Sequence, residues 1–504
     1  MSSDSTTAQR RLEALRKTIV PDSTSTPVEA QTPPFPYPVP NSTVPFWRTE
    51  LHPLDSHRST LDLPQSCDIV VIGAGYTGAA MVHHLLEGKE EKDSGKEIVI
   101  LEAREACSGA TGRNGGHLKP DVYFNGKLPY PLSPLPFFSL TPLPVPKYKK
   151  MYGPAMATAI AAFESSQIHA VKSLVESEKI DCDFTLTRAV DACLDQEHAD
   201  KARIAFEELL ESGEPSTRDV QMKVGKEGEA LSGVKGAKVA FSFTAGHIWP
   251  YKMVMHLLQR AVDRGVNLQT KTPVLSVSDA TSKDGCYTIT TPRGPLLARK
   301  VVYATNGYTS SILPSYDQKI VPVRGICTRI TCPEGTTPPY LPNSTSVRYG
   351  PGFYDYQIPR LDGSIIVGGA RHTFLQDLKQ WYNVTDDSTL IEPAVSHFKD
   401  GLMQKTYRGW EESGAELDRI WTGIMGYTSD LMPHIGSVPG KTNQYICAGF
   451  NGHGMPLILL ATKGVAKMIR EGCGFEGTGI PGCFETSEER LRSKENAILE
   501  SKPQ

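Results

Sequence analysis

The stretch Asp68-Ile-Val-Val-Ile-Gly-Ala-Gly-Tyr-Thr-Gly78 decides the fold. It opens with four β-branched residues, Ile69 to Ile72, which are typical of a strand buried on both faces of a parallel sheet. Three glycines follow with the spacing G-x-G-x-x-G. The first allows a tight turn, the second lets the backbone approach a pyrophosphate, and the third lets the next helix pack against the strand. We therefore predict a helix from about Thr77 to Leu86, with its N-terminus facing phosphates.

A second apolar run, Ile98 to Leu101, ends at Glu102. A carboxylate at the end of that strand can accept hydrogen bonds from a ribose hydroxyl. The glycine pattern alone is a weak signal, and a chance glycine turn would give the same letters. Here the pattern follows a strand, precedes a helix and has an acidic residue at the expected distance. This context predicts a dinucleotide-binding domain.

The unit closes with Ser108-Gly-Ala-Thr-Gly-Arg-Asn-Gly-Gly116. A domain for NAD alone would normally continue with further strand–helix units. This chain instead places Arg113 and Asn114 beside a flexible glycine pair, a segment that can wrap a pyrophosphate from the other side. We interpret the dinucleotide as FAD.

Four motifs, taken in this order, resemble a known family. The span from about Pro45 to Glu471 resembles the FAD-dependent oxidoreductases of the D-amino-acid oxidase, glycine oxidase and sarcosine oxidase superfamily. It looks closest to the gamma-glutamylputrescine-oxidase-like branch. The motifs are specific for the superfamily and not for a substrate. They are Val71-Ile-Gly-Ala-Gly-Tyr-Thr-Gly78, Ser108-Gly-Ala-Thr-Gly-Arg-Asn-Gly-Gly-His117, Val301-Val-Tyr-Ala-Thr-Asn-Gly307 and Ala448-Gly-Phe-Asn-Gly-His-Gly454.

The resemblance implies an α/β fold in which a Rossmann-like FAD-binding domain carries an α+β substrate domain with a mixed sheet. Both domains are expected to be discontinuous in sequence. The predicted segments are 1–44 (disordered and rich in Ser, Thr and Pro), 45–125, 239–319 and 419–475 (FAD-binding domain), 126–146 (proline-rich insertion), 151–238 and 320–418 (substrate domain) and 476–504 (charged tail). The insertion is open to two interpretations, an unstructured or spurious segment and a lid over the substrate.

The cofactor-binding residues are predicted from the motifs and from the resemblance. The last glycine-rich turn precedes a helix over 456–469, whose N-terminal dipole would stabilise negative charge on the reduced flavin. Family members that attach flavin covalently use a cysteine in the region that reads Trp421 to Thr428 here, which has none, so we expect noncovalent FAD. The predicted residues are Gly73, Gly75, Tyr76, Thr77, Gly78, Glu102, Ala103, Arg104, Arg113, Asn114, Gly115, Gly116, Val274, Ala304, Thr305, Asn306, Gly449, Phe450, Asn451, Gly452, Gly454 and Met455.

The resemblance also implies the chemistry. A neutral amine or amino acid gives a hydride to flavin N5, an imine forms, and O2 reoxidises the flavin to give H2O2. The predicted catalytic residues are His117, Arg324 and His453, with Lys119 and Tyr354 also placed near the ring. For His117 the alternative is a structural hydrogen bond. Arg324 could hold a substrate carboxylate or brace a loop between the domains.

One position departs from the sarcosine-oxidase-like pattern. Those members carry a lysine two residues after Gly-His-Gly, and it grips the substrate carboxylate. Met455 and Pro456 occupy that stretch here. A small N-methyl amino acid is therefore disfavoured, and a larger or uncharged amine is favoured.

Two other functions stay open at this point. One is an FAD-dependent dehydrogenase of a 2-hydroxy acid that passes electrons to an acceptor other than oxygen. The other is a flavoprotein without turnover, acting as a binding component. Bleaching of the flavin by amines or by hydroxy acids would separate the three possibilities.

Composition excludes several other classes. The formal net charge is -3, which does not favour nucleic acid or an anionic membrane surface as partner. The sequence has no apolar run long enough to span a membrane and no apolar signal core near the N-terminus, so we expect a cytoplasmic protein. Its ten cysteines are scattered without a C-x-x-C pair, so neither a disulfide framework nor a metal site is expected. The sequence does not set the oligomeric state.

Overall fold

The computed structural model of the 504-residue chain describes residues 37–88, 94–120, 145–350 and 352–500. The predictions for residues 1–36, and for the proline-rich insertion up to residue 144, lie outside the described residues. The helix Val145–Tyr152 overlaps the last two residues of the predicted insertion.

Eight of the described strands form one sheet, with the order β16-β17-β10-β1-β2-β7 and with β9 and β8 added beside β10. Four pairs of neighbouring strands in this sheet are parallel. Val70 of β1 lies between Val99 of β2 and Val301 of β10. All three valines are fully buried, as the β-branched run predicts. The strands are β1 (Ser66–Ile72), β2 (Ile98–Leu101), β3 (His117–Leu118), β4 (Thr185–Cys193), β5 (Gln221–Val224), β6 (Val239–His247), β7 (Asn267–Gln269), β8 (Ser276–Val277), β9 (Tyr287–Thr291), β10 (Gly294–Tyr303), β11 (Ile320–Thr331), β12 (Ser344–Gly350), β13 (Phe353–Pro359), β14 (Ile365–Gly368), β15 (Glu416–Thr428), β16 (His434–Ser437) and β17 (Gln444–Ala448).

The remaining nine described strands form a mixed sheet in the order β15-β11-β14-β13-β12-β4-β6-β3, with β5 beside β6. Most neighbours are antiparallel, and β4 and β12 are parallel. The longest pairing joins β11 to β15. The predicted fold class, a parallel nucleotide-binding sheet with a separate mixed sheet, is confirmed.

Helices cover both sheets. α1 follows β1 directly and packs between α6 and α9, so the glycine turn is held by the core of the molecule. Pro250 occupies the first turn of α6, where its missing N–H costs nothing, as predicted. The helices are α1 (Tyr76–Leu85), α2 (Val145–Tyr152), α3 (Pro154–Glu178), α4 (Gln196–Glu211), α5 (Lys226–Ser232), α6 (Pro250–Asp263), α7 (Glu392–Lys399), α8 (Leu402–Thr406), α9 (Ile458–Glu471), α10 (Glu488–Arg492) and α11 (Ala497–Glu500).

The observed strand pairing disagrees with two of the predicted domain boundaries, those at 239 and 419. β6, which starts at the predicted boundary 239, pairs with β3, β4 and β5 in the mixed sheet. β15 also belongs to the mixed sheet, although the boundary at 419 assigned most of it to the nucleotide domain. In both cases the chain crosses to the parallel sheet only after the strand has ended, because a strand belongs to the sheet that satisfies its backbone hydrogen bonds.

The predicted end of the disordered N-terminal segment, residue 44, is also wrong. Residues 37–44 lie against the folded chain, since Thr43 donates its N–H to Asp387 O and Tyr37 Oη donates to Val274 O. The predicted charged tail packs as well: Phe484 and Ile498 are buried, and Arg490 pairs with Asp430. Its few apolar residues are spaced without a helix or strand period, so sequence patterning did not reveal them.

Trp47 is fully buried, as its predicted role as a packing anchor requires. Its indole Nε1 donates to Asn114 O, and its own carbonyl accepts from Trp249. Within the described ranges, no helix combines the length and the apolar composition needed to cross a membrane.

Candidate active site

A cavity of about 340 Å³ lies where the parallel strands end. Its lining includes Gly73 after β1, Glu102 after β2, Ala304 after β10 and Phe450 after β17. The carboxyl ends of parallel strands meet at one edge of a sheet, which is where α/β proteins bind nucleotides. Strands β11 to β14 of the mixed sheet form the facing wall.

Glycine is needed at the three positions of the first motif for different physical reasons. Gly73 has φ +111°, and a Cβ there would lie 2.6 Å from Ala304 O. A Cβ on Gly78 would lie 1.9 Å from Gly73 O, so this residue serves helix packing and does not line the cavity. At Gly75 a Cβ would meet only Thr111 Oγ1, at 3.5 Å. The protein itself tolerates a side chain at Gly75, so the need for glycine there lies with a bound ligand.

Two polar side chains of the cavity lining, Glu102 and Tyr308, are suited to hydrogen-bond a dinucleotide. Glu102 accepts hydrogen bonds from Ala74 N (2.8 Å) and Arg104 N (2.9 Å). Burial raises the pKa of Glu102, and the two backbone N–H groups oppose that rise. Tyr308 also lines the cavity, and its buried hydroxyl has no hydrogen-bond partner among the described residues. A buried orphan hydroxyl is a group that a ligand can satisfy.

The side chain of Arg113 is hydrogen-bonded within the protein. Its Nε donates to Ser108 O (2.7 Å), Nη1 to Thr422 O (2.8 Å), and Nη2 to Thr43 O (2.8 Å). Nη1 and Nη2 also bond to the hydroxyls of Thr43 and Ser42. These contacts use all five guanidinium donors. The side chain therefore ties three segments together and is not free to wrap a pyrophosphate.

Arg104 is likewise directed into the protein. It makes a bidentate pair with Asp387 at 2.9 and 3.0 Å, and Asp387 also lies 3.3 Å from Arg113 Nε. Burial opposes the charge on Arg104, but Asp387 more than compensates, so the pKa of Arg104 is raised. Burial lowers the pKa of Arg113 to about 10. Sequence reasoning missed Asp387, which it placed at the start of a helix that begins only at Glu392.

Three glycine-bearing segments, 73–78, 108–116 and 449–454, contribute to the cavity. Two asparagines hold the third glycine segment, 449–454, in place. Asn306 Oδ1 accepts from the backbone of Gly449 (3.1 Å) and Phe450 (3.4 Å). Asn451 Oδ1 accepts from Thr428 N (2.8 Å), and both asparagines have left-handed backbone conformations. Their side chains therefore connect loops, and the main chain from 450 to 456 is left to line the cavity.

His117 lines the cavity beside a buried charge cluster. Its Nε2 lies 2.7 Å from Ser344 Oγ. Asp191, which is fully buried, pairs with Arg348 (2.7 Å) and Lys119 (3.3 Å). Burial first, and then the charge of Lys119, lower the pKa of His117 well below its usual value, so the imidazole is neutral near pH 7.

The side chain of Lys119 is mostly buried in this pair and lies over the ring of Phe243.

His453 reaches the same cavity from the third glycine segment. Its Nε2 lies 3.2 Å from Glu164 Oε2, and Glu164 is a buried carboxylate on α3. The helix that packs against α9 therefore sets the orientation of His453. Glu164 had no sequence signal, since it is one polar residue within a long helical pattern.

Arg324 lines the cavity, and its guanidinium bonds to the segment 380–389. Nε donates to Gln380 O (2.7 Å), Nη1 to Thr389 Oγ1 (2.7 Å) and Asp386 O (3.3 Å), and Nη2 to Gln380 Oε1 (3.2 Å). These contacts favour the bracing role for Arg324 over the binding of a substrate carboxylate.

Three tyrosines line the cavity: Tyr354 and Tyr356 on the facing wall, and Tyr427 on β15. Tyr356 Oη lies 3.1 Å from Cys327 Sγ, and burial raises the pKa of that thiol to about 11. The ring of Tyr356 fills the space beside Gly115, where a Cβ would lie 2.5 Å from it. Gly115 therefore serves the packing of the wall as well as the loop it belongs to.

The structure brings most of the predicted residues to one cavity. Gly78, Gly116 and Gly449 are outside its lining and serve local packing. The predicted residues that line it are Gly73, Gly75, Tyr76, Thr77, Glu102, Ala103, Arg104, Arg113, Asn114, Gly115, His117, Val274, Ala304, Thr305, Asn306, Arg324, Phe450, Asn451, Gly452, His453, Gly454 and Met455.

A family model described as FAD dependent oxidoreductase matches residues 68–468, which include all three glycine segments. This chain belongs to the FAD-dependent oxidoreductase (DAO) family. The resemblance inferred from the motifs is confirmed, and FAD is the cofactor of the family. The open cradle at Gly75 and the orphan hydroxyl of Tyr308 fit that cofactor.

Known members resemble this chain over most of its length. Gamma-glutamylputrescine oxidoreductase of Escherichia coli (strain K12) is 24% identical over 82% of this chain and 85% of its own. Among solved structures, glycine oxidase from Geobacillus kaustophilus has a TM-score of 0.63 at 18% identity, over 84% of this chain and 99% of its own. L-Proline dehydrogenase from P. horikoshii has a TM-score of 0.60 at 19% identity, over 81% of this chain and 95% of its own. At these identities the structures show the shared fold.

Proposed function

We propose that this chain oxidises the carbon–nitrogen bond of an amine or amino acid, with O2 as the electron acceptor and the cytoplasm as its location. FAD, when bound, supplies the two-electron chemistry by accepting a hydride from the carbon beside nitrogen, which leaves an imine for water to hydrolyse. The named amine and amino-acid enzymes among its relatives support this choice of donor.

The observation that carries the proposal is the electrostatic state around His117. Burial and Lys119 together keep the imidazole of His117 neutral. An ammonium group bound beside them would experience the same desolvation and the same positive neighbour, and both lower its pKa. A bound amine is therefore expected to lose its proton in this cavity. Only the neutral amine has a lone pair that assists departure of the hydride.

The test is anaerobic reduction of the flavin by a panel of amines, amino acids and 2-hydroxy acids. We expect amines to bleach the flavin and admitted air to produce H2O2. Bleaching by 2-hydroxy acids alone would favour the dehydrogenase alternative. A flavin that no compound in the panel reduces would favour a non-catalytic flavoprotein.

The role of Lys119 is tested by the pH dependence of flavin reduction. The rate should rise with pH as the bound amine loses its proton. Replacing Lys119 with Met removes a positive charge, so the apparent pKa of the rate profile should move to higher pH. Lys119→Arg keeps the charge and should leave the profile in place. An unmoved profile in Lys119→Met would contradict the electrostatic account.

A further inference from the structure

The segment 37–43, which we call the strap, precedes the residues that the family model matches, 68–468. It contains no helix or strand, yet two of its residues, Tyr37 and Pro38, line the cavity. The strap therefore adds to the cavity a piece of wall that the matched region does not supply.

The first end of the strap is tied down by Tyr37. Its hydroxyl donates to Val274 O at 2.7 Å and is 3.1 Å from Leu275 O. Burial raises the pKa of Tyr37 to about 12, so the hydroxyl stays protonated and remains a donor near neutral pH. Val274 lines the cavity as well. Because the protein uses the hydroxyl, the ring is the part of Tyr37 that a ligand can contact.

The middle of the strap is bonded to the segment that follows β2. Arg104 Nη1 donates to Val39 O at 3.0 Å. That segment in turn lies beside the one that carries Val274, since Thr272 N donates to Glu102 O at 2.8 Å. The strap is thus bonded to both of the neighbouring segments at this end of the cavity.

The far end of the strap is tied down by Thr43. Its backbone N–H donates to Asp387 O at 2.8 Å, and its carbonyl accepts from Arg113 Nη2 at 2.8 Å. Its hydroxyl oxygen accepts from Thr422 N at 3.1 Å. The strap is therefore held at both ends and spans the distance from Val274 to the buried ion pairs of Asp387.

Two prolines, Pro38 and Pro40, stiffen the strap. The residue before a proline is restricted to an extended backbone, which applies here to Tyr37 and Val39. Proline also has no N–H, so neither position brings a donor that needs a partner. A stiff segment loses less conformational entropy when it is held in place. This sequence is therefore suited to form a fixed wall.

The strap borders the nucleotide end of the cavity. Glu102, at the end of β2, stands where a carboxylate accepts hydrogen bonds from a ribose, and the glycine turn 73–78 faces a pyrophosphate. Tyr37 belongs to the same end, because the segment that carries Val274 is bonded to Glu102. A flat aromatic ring is a suitable contact for a purine base, which also presents a flat face.

We propose that the strap is part of the cofactor site, that Tyr37 contacts the adenosine half of FAD, and that the strap retains FAD in the cavity. Release of the cofactor then requires the bonds at one end of the strap to break first, which slows exchange. This role does not depend on which compound donates electrons to the flavin.

The first test measures the exchange of bound FAD for isotopically labelled FAD in the flavin-loaded protein. Tyr37→Ala should exchange roughly tenfold faster, the scale of one lost contact between a base and an aromatic ring. Tyr37→Phe keeps the ring and loses the hydrogen bonds, so exchange should be only about two- to fivefold faster. Tyr340→Ala removes an exposed tyrosine outside the cavity lining and should leave exchange unchanged. Unchanged exchange in Tyr37→Ala would overturn the proposal.

The second test asks which half of FAD the ring of Tyr37 contacts. The full chain, freed of flavin, is titrated with FAD and with ADP, which carries the adenosine and the diphosphate without the flavin. Tyr37→Ala should weaken both by the same factor, roughly tenfold, whereas Tyr37→Phe should keep most of the affinity for ADP. A loss confined to FAD would place Tyr37 against the flavin half and contradict the assignment.

The free energy of unfolding of the flavin-free protein separates a binding role from a purely structural one. A lower stability of Tyr37→Ala with unchanged FAD exchange and unchanged ADP affinity would make the strap a structural element only. If Tyr37→Ala does not fold, Tyr37→Leu takes its place, because leucine keeps an apolar side chain without a flat ring. It should show the same loss of ADP affinity, and an affinity equal to that of the unaltered protein would overturn the contact.

Discussion

The two walls of the cavity are built in different ways. The cradle, formed by the turn from Gly73 to Gly78 after β1, is local: one strand, a turn and one helix, which together run from Ser66 to Leu85, provide it. The facing wall, formed by β11 to β14 and the turn at Arg371, gathers side chains from strands far apart in sequence. The cradle uses backbone groups, whereas the facing wall uses side chains.

Two arginines of the cavity lining, one inside a motif and one outside, differ in how many of their donors the protein uses. Arg113 belongs to a recognisable motif, yet the protein uses all of its donors. Arg371 belongs to no motif, yet it leaves a buried donor without a partner. Proximity to a motif therefore does not tell whether a side chain serves a ligand. The hydrogen-bond partners do.

The largest effect is expected from a side chain in the cradle. Gly75→Val should abolish flavin absorbance while the protein stays folded, because φ at Gly75 is -83° and a Cβ there meets only Thr111 Oγ1. Gly73→Val is the contrasting variant and should misfold, since its Cβ would strike Ala304 O. Circular dichroism and the visible spectrum measure both properties. A Gly75→Val protein that retains flavin would refute the assignment of the cradle.

The second-largest effect is expected from removing the buried carboxylate that pairs with two arginines of the cavity lining. Asp387→Ala leaves Arg104 and Arg113 buried without their shared carboxylate and should lower the free energy of unfolding by about 3–5 kcal/mol. Asp418→Asn, which breaks the more exposed pair with Arg329, should cost no more than about 1 kcal/mol. Denaturant unfolding measures both. Equal losses would mean that Asp387 is not the centre of that network.

A smaller effect is expected from acid, through histidines on the side of the mixed sheet. Burial lowers the pKa of His198 and of His247 to about 4. In the unfolded chain these groups bind protons from about pH 6.5 downward. Stability should therefore be full above that pH and fall by about 1.4 kcal/mol per pH unit for each histidine until about pH 4.

His198→Gln tests this assignment, because it should flatten the pH dependence of the unfolding midpoint by one proton. The exposed His169 offers the control, and His169→Gln should leave the slope unchanged. A slope that survives both replacements would place the acid sensitivity elsewhere in the molecule.

The smallest effect is expected at Cys327, the cysteine of the facing wall. Its thiol is held by Tyr356 and its raised pKa keeps it protonated, so it is a poor nucleophile. FAD should therefore be released intact by acid precipitation, and Cys327→Ser should keep its flavin content. Flavin that stays with the precipitated chain would contradict noncovalent binding.

Several features of the molecule could be predicted from the sequence because short-range rules govern them. The β-branched run before Gly73 predicted β1, and the proline at 250 predicted the start of α6. The sequence did not show which segments pair as strands at the edge of a sheet. His434–Ser437 forms β16 because β17, the strand that pairs with it, supplies its hydrogen bonds.

The sequence by itself determined the cradle, the cofactor and the family, since a glycine turn between a strand and a helix is set by local steric rules. Only the tertiary structure decided which charged side chains are available to a ligand. Asp387 pairs with Arg104 and Arg113, and Asp191 pairs with Lys119 and Arg348. Ion pairs between residues this far apart in the chain depend on how the sheets bring them together, and no local pattern records that arrangement.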